Sequence, residues 1–192
     1  MRLHEHEAAR FFQQAGVPVP PFAVVRTADE AVAALGQVGL PVVLKAQVLV
    51  GSRGKHGGIL LASTPEEVRE KAAALLAKTV RGLAVETLMV AKAVSIAREL
   101  YVGVTVDAVA GAVTVILGTA GGIDVETVAK EQPEALFRKS VVPPAELRGH
   151  EARALAREAG FRGDLMVKIA DVLVALYRVF RKTDALIAEV NP

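Results

Sequence analysis

Two alternating runs, Leu100–Asp107 and Ala112–Leu117, flank a short turn that ends at Gly111. Period-two alternation on both sides of a glycine turn predicts an antiparallel hairpin. No other feature constrains the fold as much. Elsewhere strands and helices interleave, which alone would suggest a parallel, doubly wound sheet. The hairpin excludes a purely parallel one and predicts an α+β fold in two lobes.

The remaining elements follow from periodicity and punctuation. Leu3, Ala8, Phe11, Phe12 and Ala15 recur at helical spacing over 3–15, closed by Gly16 and Pro18. A Pro-rich link leads to a strand at Phe22–Arg26, and Thr27 with Glu30 caps a helix to about Leu35. Strands are predicted at Pro41–Val50, Ile59–Ala62 and Leu83–Val90. Thr64, Pro65 and Glu67 supply the cap, the first-turn proline and the box glutamate of another helix. Helices at about Glu151–Ala159 and Asp164–Arg181 precede a last strand, Ala185–Val190.

With 52% hydrophobic and 23% charged residues, the 192-residue chain is globular and can bury a substantial core. Cysteine is absent, which rules out disulfides and cysteine-ligated metal and suits the cytoplasm. No apolar run approaches the roughly 18 residues of a membrane span. A net charge of +2, no basic run and no Trp argue against nucleic acid. His4 and His6 are expected on different helix faces, and with His56 and His150 scattered a zinc site is not expected. Asp107 and Asp124 read as turn and cap residues.

Val42–Gly58, VVLKAQVLVGSRGKHGG, carries the most chemistry. Lys45 sits within an apolar strand, where burial is unfavourable unless a negative charge meets it. A loop with Gly51, Gly54, Gly57 and Gly58 follows, interleaved with Arg53 and Lys55. Glycines let backbone N–H groups approach an anion, and two cations add charge, so the segment suits a polyphosphate. It is not a Walker loop, because Leu49 and His56 stand where that pattern needs a glycine and a Ser or Thr. A glycine-tipped hairpin with Lys45 reaching for water explains the same residues.

The segments VVLKAQ and GSRGKHGG resemble the ATP-grasp lobe of succinyl-CoA synthetase β subunits. So do LHEHEAARFF at the start, SIARELY at 95–101, GTAGGIDVETVA at 118–129 and AEVNP at the end. Malate–CoA ligase β subunits and the front of ATP-citrate lyase share the pattern. The resemblance implies an α+β ATP-grasp fold whose two lobes clamp a nucleotide: a small lobe at 21–95, and a second at 1–20 plus 96–192. It implies nucleotide contacts at Lys45, Gly51, Ser52, Arg53, Gly54, Ala91, Val94 and Glu99. Glu189 would organise phosphoryl transfer, and Asn191 would bind Mg2+; by composition alone these two read first as an exposed polar pair at a chain end. The ligand would be Mg-ATP or Mg-GTP, and the partner an α subunit that binds CoA and carries a phosphorylated histidine. The implied enzyme is a succinate–CoA ligase of the tricarboxylic acid cycle, cytoplasmic and without membrane or nucleic-acid partners.

Some positions depart from the family pattern. Val90–Ala93 lacks the acidic residue usual at the purine site, Ser95 replaces an Asp, Ala120 a Glu, and Ser52 a glycine of the loop. The chain also stops at Pro192, where the family continues with a second magnesium carboxylate and a C-terminal CoA-ligase domain. The expectation is a fragment, a split gene product or a divergent relative that forms no acyl-CoA by itself. A nucleotide- or subunit-binding module without turnover, or a different ATP-grasp ligase, are the alternatives.

Overall fold

The computed structural model describes residues 2–51, 53–121 and 125–191. It divides into two compact units, Met1–Arg10 with Val19–Ser95, and Phe11–Pro18 with Ile96–Pro192.

The first unit opens with α1 (Glu5–Gln14), whose last turn belongs to the second, and continues through β1 (Phe22–Val25), α2 (Ala28–Ala33), α3 (Leu35–Val38), β2 (Val42–Ala46) and β3 (Ile59–Ala62). Then come α4 (Pro65–Leu76), β4 (Thr79–Val80), β5 (Leu83–Ala84) and β6 (Leu88–Lys92). An antiparallel sheet in the order β1-β6-β2-β3 carries the unit. Alternation divides its faces. Val42, Leu44 and Ala46 point to a core closed by Ala31 of α2 and by Val68, Ala72 and Leu75 of α4. Met89 and Ala91 on the opposite face pack with Ala9 of α1. Helix starts follow the capping residues: Glu30 N–H donates to Thr27 Oγ1 (3.1 Å) and Glu67 N–H to Thr64 Oγ1 (3.2 Å).

The second unit contains β7 (Tyr101–Asp107), β8 (Ala112–Gly118), α5 (Val125–Glu131), β9 (Leu136–Val141), α6 (Gly149–Glu158), α7 (Gly163–Lys182) and β10 (Ile187–Val190). Its antiparallel sheet has the order β10-β7-β8-β9, with the expected hairpin β7–β8 at its centre. Asp107 is the turn residue, its Oδ1 accepting from the Val109 and Ala110 amides. Val102, Val104, Val113, Val115 and Leu117 share one face and bury against α6 and α7. Ile169, Leu173, Leu176 and Phe180 form the apolar stripe of α7. Among the described residues no helix is long and apolar enough to cross a membrane.

Several expectations are corrected. The predicted strand Pro41–Val50 ends at Ala46, and Gln47 N–H turns to Thr87 O (2.9 Å). Leu83–Val90 splits, because Leu83–Ala84 folds back on Thr79–Val80 before the central strand starts at Leu88. The expected helix to Leu35 breaks into α2 and α3. β9 and α5 were not anticipated; β9, LFRKSV, is an edge strand whose exposed Arg138 and Ser140 blur its apolar signal. The second lobe was expected to hold residues 1–20, but Met1–Arg10 groups with the first unit. Asp124 lies outside the described residues.

Leu173 is fully buried in the second core, whereas Leu165 on the same helix is half exposed. Leu173→Ala should therefore lower unfolding free energy by about 2–5 kcal/mol, while Leu165→Ala changes it little. Denaturant unfolding of the two variants checks this.

Candidate functional site

In the first unit, α1 lies on the sheet face that carries Lys45. Ala9 packs on Met89 and Ala91, and Met89 is the direct ladder neighbour of Lys45. Glu5 stands one turn before Ala9 on the same helix face, so it arrives over Lys45. Its two oxygens are divided between two cations: Oε1 accepts from Lys45 Nζ at 2.7 Å, and Oε2 from Arg53 at 2.6 Å. A second Arg53 nitrogen donates to Ala46 O at 2.8 Å. The three side chains are only partly exposed, at 28% for Lys45, 30% for Glu5 and 18% for Arg53. That places the cluster between a surface ion pair and a buried one.

Gln47, 4% exposed, stands beside this cluster. Its Oε1 accepts from the His6 N–H (3.1 Å) and lies 3.0 Å from His6 Nδ1, while its Nε2 donates to Lys45 O (3.0 Å). Glu5 and Gln47 thus tie the start of α1 to β2. Burial would raise the Glu5 carboxyl, but the Lys45 ammonium and the Arg53 guanidinium overcome it and hold it below its ordinary range.

The loop after β2 is compact. The His56 and Gly58 amides donate to Arg53 O, and Gly57 N–H donates to Gly54 O, so the later glycines close the loop upon itself. Gly51 and Gly54 are exposed. Ser52 lies outside the described residues. Ala91 is buried between β1 and β2, beside Phe22 and Val43, and Val94 is exposed.

The second unit holds the other candidates. Glu99 is exposed just ahead of β7. Glu189 on β10 pairs in register with Gly103 of β7. Tyr101, two residues before Gly103 and on the same face, reaches past it and donates its hydroxyl to Glu189 Oε2 at 3.0 Å. Gly103 makes the room: a Cβ there would meet the Tyr101 hydroxyl at 2.6 Å and its ring at 2.9 Å. Burial first, then the neighbouring Glu189 carboxylate, push the Tyr101 hydroxyl well above its ordinary range, so it remains a donor. Asn191 follows β10 and is exposed. At Gly121, first of the late glycine pair, a side chain would run into the Leu100 backbone.

The donor chemistry at Glu189 and Asn191 fits magnesium, which takes oxygen ligands. Both side chains are exposed, and Tyr101 engages only one Glu189 oxygen. Among the described residues no three His, Cys, Asp or Glu side chains converge on a metal position. Other ligands would come from phosphate oxygens and water, as is usual for this ion. The His4 and His6 rings are not on different faces but stack, with centroids 5.7 Å apart, because the helix begins only at Glu5.

Sequence reasoning missed Glu5, Gln47 and Tyr101. Gln47 had a usable signal, an amide among buried strand residues. Glu5 had a weaker one, a carboxylate one turn before a small buried residue.

Two expectations can be measured. Because folding lowers the Glu5 carboxyl, its contribution is complete above the ordinary value of 4.5 and is lost as pH falls through the lower folded value. The parent should therefore melt above Glu5→Gln at neutral pH, with the difference closing in the acid range; an unchanged gap down to acid unfolding would refute the assignment. Gly103→Ala should destabilise by about 1–3 kcal/mol through overpacking against Tyr101, and the Gly103→Ala/Tyr101→Ala double variant should lose less than the sum of the two single losses, because the clash disappears with the ring. Thermal melts of the single and double variants test the contact.

The family model described as ATP-grasp domain matches residues 2–192. The GDP-forming succinate–CoA ligase β subunit of Thermus thermophilus is 46% identical over 192 residues, covering all of this chain and 50% of the relative. The ADP-forming β subunit of Halorubrum lacusprofundi is 40% identical with the same coverage. The chain thus spans half the length of these curated relatives. Among solved structures, the dinucleotide forming acetyl-coenzyme A synthetase 1 of Ca. Korarchaeum cryptofilum, in complex with coenzyme A, Ca-AMPCP and HgCl+, superposes with a TM-score of 0.77. It is 27% identical, covering 98% of this chain and 84% of that one. A match running along essentially the whole sequence leaves one conclusion about ancestry: this chain belongs to the ATP-grasp domain family.

Proposed function

We propose that this chain is the nucleotide-binding part of an acid–CoA ligase of the succinate–CoA ligase β type, and that it binds Mg-ATP or Mg-GTP for phosphoryl transfer. The observation that carries this reading is the convergence of Lys45 and Arg53 on the two oxygens of one carboxylate. Cations from a strand and from a glycine loop are thereby aimed at a compact pair of anionic oxygens, which is what a phosphate offers.

In this reading Lys45 and Arg53 neutralise the nucleotide phosphates, and Gly51, Ser52 and Gly54 let the loop backbone come close. Ala91, whose backbone is taken up by the ladder between β1 and β2, borders the purine with its small side chain; Val94 offers backbone groups to it, consistent with the absence of a side-chain carboxylate there, and Glu99 accepts from the ribose. Glu189, steadied by Tyr101, orients the transferring group, and Asn191 helps hold the metal. Magnesium, when bound, supplies charge neutralisation at the phosphates. Catalysis then rests on positioning and electrostatics. The acceptor is a histidine on an α subunit that also binds CoA, and the complete system converts an acid, CoA and nucleoside triphosphate to acyl-CoA, nucleoside diphosphate and phosphate.

Millimolar Mg-ATP or Mg-GTP should raise the melting temperature through preferential binding to the native state. Lys45→Ala should weaken nucleotide affinity by roughly 1–3 kcal/mol with the fold intact. Absence of any shift with folded protein, or unchanged affinity in Lys45→Ala, would overturn the site. An acyl-CoA assay with succinate or malate, supplemented with an α subunit and a C-terminal β half, tests the wider role. Nucleotide binding without turnover in that mixture would identify a binding module instead.

A further inference from the structure

Glu5 is the one anion among the described residues seated on both candidate phosphate cations. Each oxygen has its own partner, at 2.7 and 2.6 Å, and Arg53 is further fixed by the Ala46 carbonyl. A carboxylate bridging an ammonium and a guanidinium uses the same hydrogen bonds that two phosphate oxygens would use. A phosphate can therefore gain Lys45 and Arg53 in full only if Glu5 yields them.

From this geometry we propose that Glu5 is a resident competitor for the phosphate site: nucleotide binding exchanges the Glu5 carboxylate for phosphate on Lys45 and Arg53, and Glu5 thereby sets affinity and release. The proposal rests on the reading that these two cations serve the nucleotide phosphates. Three features support exchange. The cluster has two cations for one carboxylate, so it retains attraction for a more highly charged anion. Glu5 keeps 30% of its side chain exposed and has a route to solvent. The helix start also has an independent attachment, since Gln47 holds His6 through backbone and ring. The Glu5 side chain can swing away without release of α1. Its position in the first helical turn gives the carboxylate a compensating interaction with the helix dipole once the cations are gone.

The alternative role is positional: Glu5 could hold Lys45 and Arg53 where phosphate needs them. The two roles predict opposite signs for a neutral variant. Isothermal titration of Mg-ATP, and separately of inorganic triphosphate, would be run on the parent, Glu5→Gln, Glu5→Asp and Lys45→Ala, with circular dichroism confirming the fold of each. Competition predicts roughly tenfold tighter binding of both probes by Glu5→Gln, the scale of one or two lost charge-assisted contacts. Glu5→Asp, which keeps the charge but is too short to bridge both cations, should bind more tightly than the parent by a smaller factor. Should Glu5→Gln fail to fold, the sign of the Glu5→Asp change decides. Equal or weaker binding in the folded variants overturns the proposal, and if Lys45→Ala still weakens binding, the nucleotide reading stands without it. If neither the parent nor the Glu5 variants bind either probe, both the proposal and the nucleotide reading fall.

Discussion

The bridge from Glu5 to Lys45 and Arg53 is the constraint on which the first unit depends. Lys45 projects from a strand whose other residues are apolar, and at 28% exposure an unpaired ammonium there carries an uncompensated desolvation cost. Glu5 removes that penalty from forty positions away in sequence. In doing so it joins the Gln47 contact to His6 in placing α1, with Ala9 one turn later sealing Met89 and Ala91. It also explains why the start of the chain groups with the first unit when its helical pattern alone does not say so. The ion pair and the small apolar contact share one helix face, one turn apart.

The second unit solves a related problem with neutral chemistry. Its helices cover the face of β7 that carries Val102 and Val104, leaving Tyr101 and Gly103 on the other. Removing the side chain at Gly103 opens a channel for the Tyr101 ring, and the ring delivers a hydroxyl to Glu189 across the ladder. In each unit the face packed by the longer helices, α4 in the first and α6 with α7 in the second, holds the main core, while the other face carries the polar groups, in the first unit alongside α1. The functional candidates therefore add little strain to either core.

Much of this was legible in the sequence, for definable reasons. The β7–β8 hairpin and α7 carry long, clean periodicities, and the α2 and α4 starts carry capping residues that act locally. Lys45 was legible as a charge in need of a partner, but the partner is non-local, so pattern reading offers only a bound anion or water and not Glu5. β9 escaped because an edge strand tolerates charged residues on its open face, and β5 because a tight fold-back interrupts an otherwise uniform apolar run. Tyr101 read as part of a family motif, and only the register of Gly103 with Glu189 shows what its hydroxyl can reach.

The charge count within the Glu5 cluster links stability to binding. One carboxylate cannot neutralise two cations, so pairing leaves a residual positive charge that is tolerable at partial exposure and attractive to a stronger anion. Full neutralisation by a second carboxylate would stabilise the folded chain further but leave a phosphate little to gain. Leaving both cations unpaired would sharpen phosphate binding at the expense of the native state. A single bridging Glu, backed by the uncharged Gln47 latch that holds α1 whichever anion is present, sits between those limits. That division of labour gives a physical reason for a buried amide at position 47: the energy of a charged side chain there would vary with the charge on the neighbouring cluster, and that of a neutral amide varies much less.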